Sequence, residues 1–336
     1  NGIDVNHLCI GSEGTLGVIT EATMRVHPRP ELRVVPAYLF PEFEGGFQAM
    51  RECMRAGCMP SMVRLNDPGK TALSVAFKSP SSRLSQAISK VFKGYLKTRG
   101  FDLPRACLML TAFEGRRRDV ARQLRQVDSI YRKFGGVDLG QGSGKSFEAT
   151  KYDFPHIRDY MLERDVTTDV SETSTVWNNI LPLYRATMES IRSGILATGV
   201  KPWAGCHISH TYHSGASLYF TFGLKQVPGQ EMEQYLKVKR ATQQTFIDHG
   251  ATLSHHHAVG TEHLPWLAAD ISPLGVRAVA ALKQGLDPRN CMNPGRLDPS
   301  ENPFEDWRRI SDPPAETEKA VGATLGAARQ ARNDLG

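Results

Sequence analysis

Between residues 32 and 250 the chain switches repeatedly between two hydrophobic periods, and this alternation restricts the fold more than any single motif does. Period-2 or continuous apolar runs predict strands over residues 34–40, 61–65, 106–113, 166–170, 207–212 and 217–222. Helical apolar spacing, such as Phe47, Met50 and Met54, predicts helices over 43–55, 82–99, 118–134, 175–192 and 231–248, the third closed by Gly135-Gly136 and the last by Gly250. Strands and helices interleaved in this order predict an α+β fold, an antiparallel sheet covered by helices. The same alternation assigns faces. Arg64 lies opposite Val63 and Leu65, and Tyr219 leaves the apolar side formed by Leu218, Phe220 and Phe222.

Residues 254–260 read Ser-His-His-His-Ala-Val-Gly, directly after the strand-like Ala251-Thr252-Leu253. Three consecutive imidazoles are costly in an ordinary core, because each brings a donor and an acceptor that need partners. An extended backbone would turn His255 and His257 one way and His256 the other, so that one face lines a cleft. A solvated loop is the competing reading. No metal is expected, since neighbouring rings cannot all converge on one ion and Glu262 shows no paired-ligand spacing with the run. Tyr219 would act as a general acid or base if Arg or protonated His nearby depressed its phenol well below the ordinary value of about 10, and otherwise it is packing. Arg158 has Asp159 as an ordinary partner and an anionic ligand as the alternative.

Near the start, Leu8-Cys9-Ile10 predicts a short buried strand. It leads into Gly11, Gly14 and Gly17, whose spacing suits positive φ in a ligand-cradling turn or a plain β-turn. The pattern is not a dinucleotide GxGxxG, because residues 18–20 and 22–26 alternate like a strand rather than opening a helix. Residues 140–146, Gly-Gln-Gly-Ser-Gly-Lys-Ser, miss the phosphate-loop spacing because Leu139 stands where a glycine is required, and Pro155 follows. A surface loop is predicted there.

A net charge of +6 over 336 residues, with Lys and Arg scattered, does not point to nucleic acid. It suits an anionic substrate or peripheral contact with an anionic membrane surface. The six cysteines show no CxxC or disulfide spacing and read as reduced core thiols of a cytoplasmic protein. No apolar run reaches the roughly 18 residues of a membrane helix. The chain opens on Asn1 within a β-rich pattern, which predicts a fragment.

Residues 11–31 (GSEGTLGVITEATMRVHPRPE), Pro265-Trp266-Leu267 and residues 286–297 resemble the FAD-linked oxidase family with the vanillyl-alcohol-oxidase type of fold. The triple histidine, Ser171-Glu172-Thr173-Ser174 with Trp177, and Thr211-Tyr212 leading to Tyr219 resemble the alkyldihydroxyacetonephosphate synthases within it. Ala258 follows the histidines where glycine is usual. The resemblance implies the end of an FAD-binding domain over residues 1–31, a cap domain over 32–253, an active-site histidine segment returning to the FAD domain over 254–297, and a polar tail with a terminal helix over 298–336. Glu13, Gly14, Thr15, Leu16, Gly17, Val18 and Ile19 would form the last FAD-contacting loop. Tyr219 would be the catalytic acid/base, Arg158 a substrate-binding group, Arg64 an arginine needed for activity, and His255, His256 and His257 active-site groups. The implied reaction replaces the acyl group of acyl-dihydroxyacetonephosphate with a long-chain alcohol without net redox change, in a homodimer. Without the upstream pyrophosphate loops, this piece alone is expected to bind flavin poorly. Two rivals stand beside that reading, an FAD-dependent hydroxy-acid or alcohol oxidoreductase and a non-catalytic binding fragment.

Overall fold

The computed structural model describes residue 2 and residues 4–76, 94–152 and 154–297. It divides into two compact units, residues 19–258 and residues 1–18 together with 259 onward. Among the described residues, eight strands of the larger unit make one sheet: β1 (Leu32–Val34), β2 (Ala37–Phe40), β3 (Met62–Asn66), β4 (Cys107–Gly115), β5 (Val137–Asp138), β6 (Val166–Val176), β7 (Trp203–Thr211) and β8 (Gly215–Lys225). Their order is β5-β2-β4-β3-β7-β8-β6, with β1 also on β4, and the pairings are antiparallel.

The run at 34–40 splits into β1 and β2 for a local reason. Both pair with β4 in one register, Leu32 opposite Gly115 and Ala37 opposite Leu110. Pro36 between them has no N–H to give the ladder, although its carbonyl still accepts from Thr111 N at 3.1 Å. The partner, β4, is buried on both faces over 107–113. Cys107, Met109 and Phe113 join the core under helices Phe43–Arg55 and Arg117–Lys133, while Leu108, Leu110 and Ala112 join Val35, Ala37 and Phe147 on the other side.

Phe147 belongs to helix Gly142–Thr150, where a surface loop is predicted from the glycines. The glycines there are a contact surface. A Cβ on Gly144 would sit 1.9 Å from the Val35 carbonyl oxygen, so the helix can lie on the strand backbone only where the side chain is missing.

On β8 the predicted alternation holds. Leu218, Phe220 and Phe222 pack with Cys206 and Ile208 beneath helices Ile180–Leu196 and Glu231–Asp248. Each fully buried phenylalanine contributes about 1.5–3 kcal/mol. The opposite face carries a cross-strand row, with Tyr219 opposite both Glu172 on β6 and His207 on β7, and His207 opposite Asn66 on β3.

Three expected strands are absent. Residues 8–10 fall in or beside helix Val5–Cys9, capped by Asp4, whose carboxylate accepts Asn6 N at 2.9 Å. Residues 18–30 carry no ladder and leave Val18, Ile19, Met24 and Val26 exposed. A strand needs a neighbour for its backbone groups, and the described residues supply none there. Residues 251–253 are held by Thr252, which exchanges hydrogen bonds with Ser174 on β6 through its N–H (3.0 Å) and Oγ1 (2.9 Å from Ser174 N). Of the helix predicted at 82–99, residues 82–93 lie outside the described residues and 94–98 are helical. The tail at 298–336 also lies outside them. Cys53, Cys58, Cys107 and Cys206 are buried free thiols, whereas Cys9 and Cys291 are exposed rather than core. No described helix is long and apolar enough to cross a membrane.

Candidate active site

The histidine segment is not extended. It curls around one buried carboxylate on β6. Glu172 Oε1 accepts from Ser254 Oγ at 2.7 Å and from the backbone N–H groups of His255, His256 and His257, each at 2.8 Å. Successive amides aimed at one anion form a concave nest, and this turn overrides the alternating faces expected of a strand. The rings gather instead of diverging. His255 and His256 bring their Nδ1 atoms to 3.0 Å, His255 Nε2 lies 2.8 Å from the Tyr212 hydroxyl, and the His256 and His257 ring centres are 4.5 Å apart.

A β-bulge adds a fourth imidazole. The β7–β8 register shifts between Ser209 and Thr211, and His210 adopts a φ of 48°. Bulges re-aim side chains. Here the His210 ring comes to 5.3 Å from His255 and 5.1 Å from His256, centre to centre. His210, His255 and His256 offer nitrogens within 4.8 Å of one another, a convergence that sequence spacing argues against.

Tyr219 stands beside this cluster, stacked on His207 at 4.7 Å and edge-on to His257 at 5.1 Å. Arg64 reaches the same place. Its Nη2 lies 3.4 Å from His207 Nδ1 and its guanidinium lies over Phe147 at 5.6 Å. Lys70, of helix Pro68–Ala76, donates to Thr221 Oγ1 at 2.6 Å, with its ammonium 5.8 Å from the Tyr219 ring centre. Arg64, Lys70, Lys151, His207, Tyr219 and His256 line one cavity of about 710 Å³, all within the larger unit.

The electrostatics follow from burial. Desolvation pushes Lys70 down to about 8, helped by Arg64, and pushes Arg64 down to about 10. His207 is held well below the ordinary histidine range, first by burial and then by Arg64 and Lys70, so it is neutral. At Tyr219 the depressing cations do not prevail. Burial raises its phenol, and the opposing pull of Arg64 does not reverse this, so the group keeps its proton at neutral pH. The cations that would depress it are themselves desolvated.

Arg158 is exposed on helix Phe154–Leu162 and does not line this cavity. Glu172, Lys70, His207, His210 and Tyr212 were not singled out as site groups by residue pattern alone. Period-2 register of β7 and β8 marks the face for His207, but nothing local announces that Lys70 or Glu172 will meet it.

The loop expected to contact FAD belongs to the smaller unit except for Ile19. Gly14 and Gly17 have φ of 75° and 151°. Glu13 is tied down, since its two carboxylate oxygens accept from Val259 N at 2.8 Å and Gly260 N at 3.0 Å. Asn293 Nδ2 donates to the Glu13 carbonyl, and buried Lys283 donates to Asp287 at 3.0 Å and to the Met292 carbonyl at 2.7 Å. Val18 and Ile19 are 76% and 71% exposed, and nothing within 4 Å would meet a Cβ on Gly17. Open backbone flanked by apolar side chains fits contact with a planar ring system.

The model of the family described as FAD linked oxidases, C-terminal domain, matches residues 29–297. The chain belongs to this family. FAD is the cofactor that membership implies. The chain is 35% identical over 300 residues to alkyldihydroxyacetonephosphate synthase of Trypanosoma brucei brucei, and equally to that of Dictyostelium discoideum, matching 89% of this chain and 49% of each relative. A solved structure of alkyldihydroxyacetonephosphate synthase superposes with a TM-score of 0.69 at 32% identity, covering 87% of this chain and 49% of that one. The chain thus spans about half the length of the relatives it matches.

Proposed function

We propose that the chain is the substrate-handling part of an FAD-dependent alkyldihydroxyacetonephosphate synthase. The carrying observation is the cavity in which a half-buried and a buried cation, Arg64 and Lys70, meet a protonated phenol and a group of imidazoles. The side chains of Arg64 and Lys70 hydrogen-bond only neutral groups among the described residues, Asn66, His207 and Thr221, while the nearby Asp67 carboxylate accepts from the Lys70 backbone N–H at 2.8 Å. Two desolvated cations side by side call for an anion, and the phosphate of acyl-dihydroxyacetonephosphate supplies one. FAD, when bound, supplies the nucleophilic centre for the substrate C1.

In the overall exchange the bond from C1 to the acyl oxygen breaks, a bond from C1 to the alcohol oxygen forms, and the alcohol proton leaves with the released fatty acid. No electrons are gained or lost. Tyr219 holds a proton to give to a group at C1 and takes one back in the second half of the exchange. The imidazoles of His255, His256 and His257 pass protons to and from the departing carboxylate. Arg64 and Lys70 hold the phosphate. Arg158, on the outer helix, remains a proposed contact for the incoming substrate rather than a group at the reacting carbon. The family resemblance carries a homodimer with this reading, and the net positive charge suits peripheral contact with a lipid surface that presents both substrates.

The test is exchange of labelled fatty alcohol into an alkyl product by the full-length flavoprotein with no added electron acceptor. Incorporation is expected. Absence of incorporation, with anaerobic bleaching of the flavin by a hydroxy acid or alcohol, would replace this reading with an oxidoreductase.

A further inference from the structure

Glu172 has a peculiarity that building a turn does not require. Its side chain is 0% exposed, yet no lysine or arginine forms an ion pair with it among the described residues. Four donors converge on Oε1, while Oε2 is buried without a hydrogen-bond partner. A carboxylate oxygen left unsatisfied in the interior is expensive. This one lies 3.3 Å from His256 Nδ1 and 4.0 Å from His255 Nδ1.

Those two nitrogens also face one another at 3.0 Å. In the neutral pair one Nδ1 carries a hydrogen and the other accepts it. When a further proton is taken up at the accepting Nδ1, both Nδ1 atoms carry hydrogens, and they can no longer bond each other. One needs another acceptor. Oε2 of Glu172 is the unsatisfied oxygen within reach, and it carries charge of the right sign.

We propose that Glu172 is the positioning residue of the imidazole cluster: one oxygen builds the turn that presents His255, His256 and His257, and the other stands in reserve for the imidazolium formed when the cluster takes up a proton. The inference rests on the proposed function only for when that proton arrives, on release of the acyl carboxylate, and not for the geometry. Burial by itself would raise the Glu172 carboxyl, but the combined hydrogen bonds of Ser254 and the three amides outweigh it and leave the group below the ordinary carboxylate range. It is therefore anionic at neutral pH. The other titratable groups around the cluster are His210 near the end of β7, Tyr212 just after it, Tyr219 on β8, and, beside His257, Asp169 and Lys239 of helix Glu231–Asp248, which pair at 3.2 Å. Arg64 faces the cluster from beyond Tyr219.

Glu172→Gln separates the two roles. The amide oxygen can still collect the backbone N–H groups, while a neutral NH₂ replaces the reserved oxygen. In the full-length flavoprotein the variant is expected to keep its FAD and its melting temperature. Turnover in alcohol exchange should fall about 100-fold with KM changed less than about threefold. The titration of the cluster, followed by NMR of ¹³C-labelled histidine, should move to lower pH by about one unit, because an opposite charge within 4–6 Å has been removed. Glu172→Asp should return part of that shift. His256→Gln, on a side chain that is 39% exposed, provides a second route where Glu172→Gln fails to fold, and should erase the Glu172-dependent titration step. A Glu172→Gln protein whose histidine titration and turnover match wild type would overturn the proposal, as would an unchanged titration in His256→Gln. Loss of exchange activity in wild type, with the histidine shift still present, would count against the proposed reaction and leave the role of Glu172 standing.

Discussion

Glu172 in the larger unit and Asp287 in the smaller one fold their loops by the same device, a carboxylate that collects backbone amides, and they differ in what is left over. Asp287 shares its donors out. Oδ1 accepts from Cys291 N at 2.9 Å, and Oδ2 accepts from Met292 N at 2.7 Å and from Lys283 Nζ at 3.0 Å. Those amide bonds, more than the lysine, hold its carboxyl down to about 2. Glu172 loads four donors on one oxygen and leaves the other against an imidazole. A carboxylate with both oxygens satisfied is a fastener. One with an oxygen in reserve can answer the arrival of a proton.

On the proposed reading the Glu172 region handles protons while the Asp287 region only shapes its loop, and the contrast can be broken at either end. The largest expected effect is at Tyr219, the phenol opposite Glu172 in the ladder. Tyr219→Phe should reduce alcohol exchange by about 10²–10⁴-fold with no change in the melting curve, because only the hydroxyl is removed. Intact exchange in that variant would remove Tyr219 from the mechanism.

A smaller effect is expected at Lys70. Its charge is present below about 8 and fades as pH rises through that value, so KM for the phosphate-bearing substrate should climb there in wild type. Lys70→Met should raise KM about tenfold or more at neutral pH, in keeping with about 1.5–3 kcal/mol for a hydrogen bond to a charged group. Lys70→Arg should flatten the climb. KM independent of pH across 7–9 in wild type would show that Lys70 does not bind the anion.

The smallest effect on catalysis is at Asp287. Its carboxyl is depressed in the folded state, so its contribution to stability is full above the ordinary value of 3.8 and is lost as pH falls towards about 2. Asp287→Asn should lower the melting temperature at neutral pH, with the difference from wild type shrinking on acidification, and leave the pH profile of turnover in place. A shifted turnover profile would mean that the two carboxylates are not so different.

How much of this was legible beforehand depends on the range of the interactions. Helices Phe43–Arg55 and Glu231–Asp248 have the bounds that their apolar spacing predicts, because one helix face and its closing residues are written within 20 positions. The face of Tyr219 was legible for the same reason. Helix Gly142–Thr150 was not, since its glycines serve a contact with Val35, more than 100 residues away, and look like loop signals without it. The histidine run stands out by composition, yet nothing near it decides between an extended and a looped shape, because the carboxylate that bends it sits 83 positions earlier at Glu172.

Local pattern alone determined the class of fold, most of the strands and helices, and the residue types from which a proton-handling site would be built. The tertiary structure decided which of them meet: it brought Lys70 and His207 to Tyr219, left Arg158 outside that cavity, and set burial against Arg64 at Tyr219, with burial prevailing. The physical reason is that periodicity encodes only which side of an element is apolar, whereas desolvation and charge proximity depend on distances across the sheet that no stretch of the chain contains.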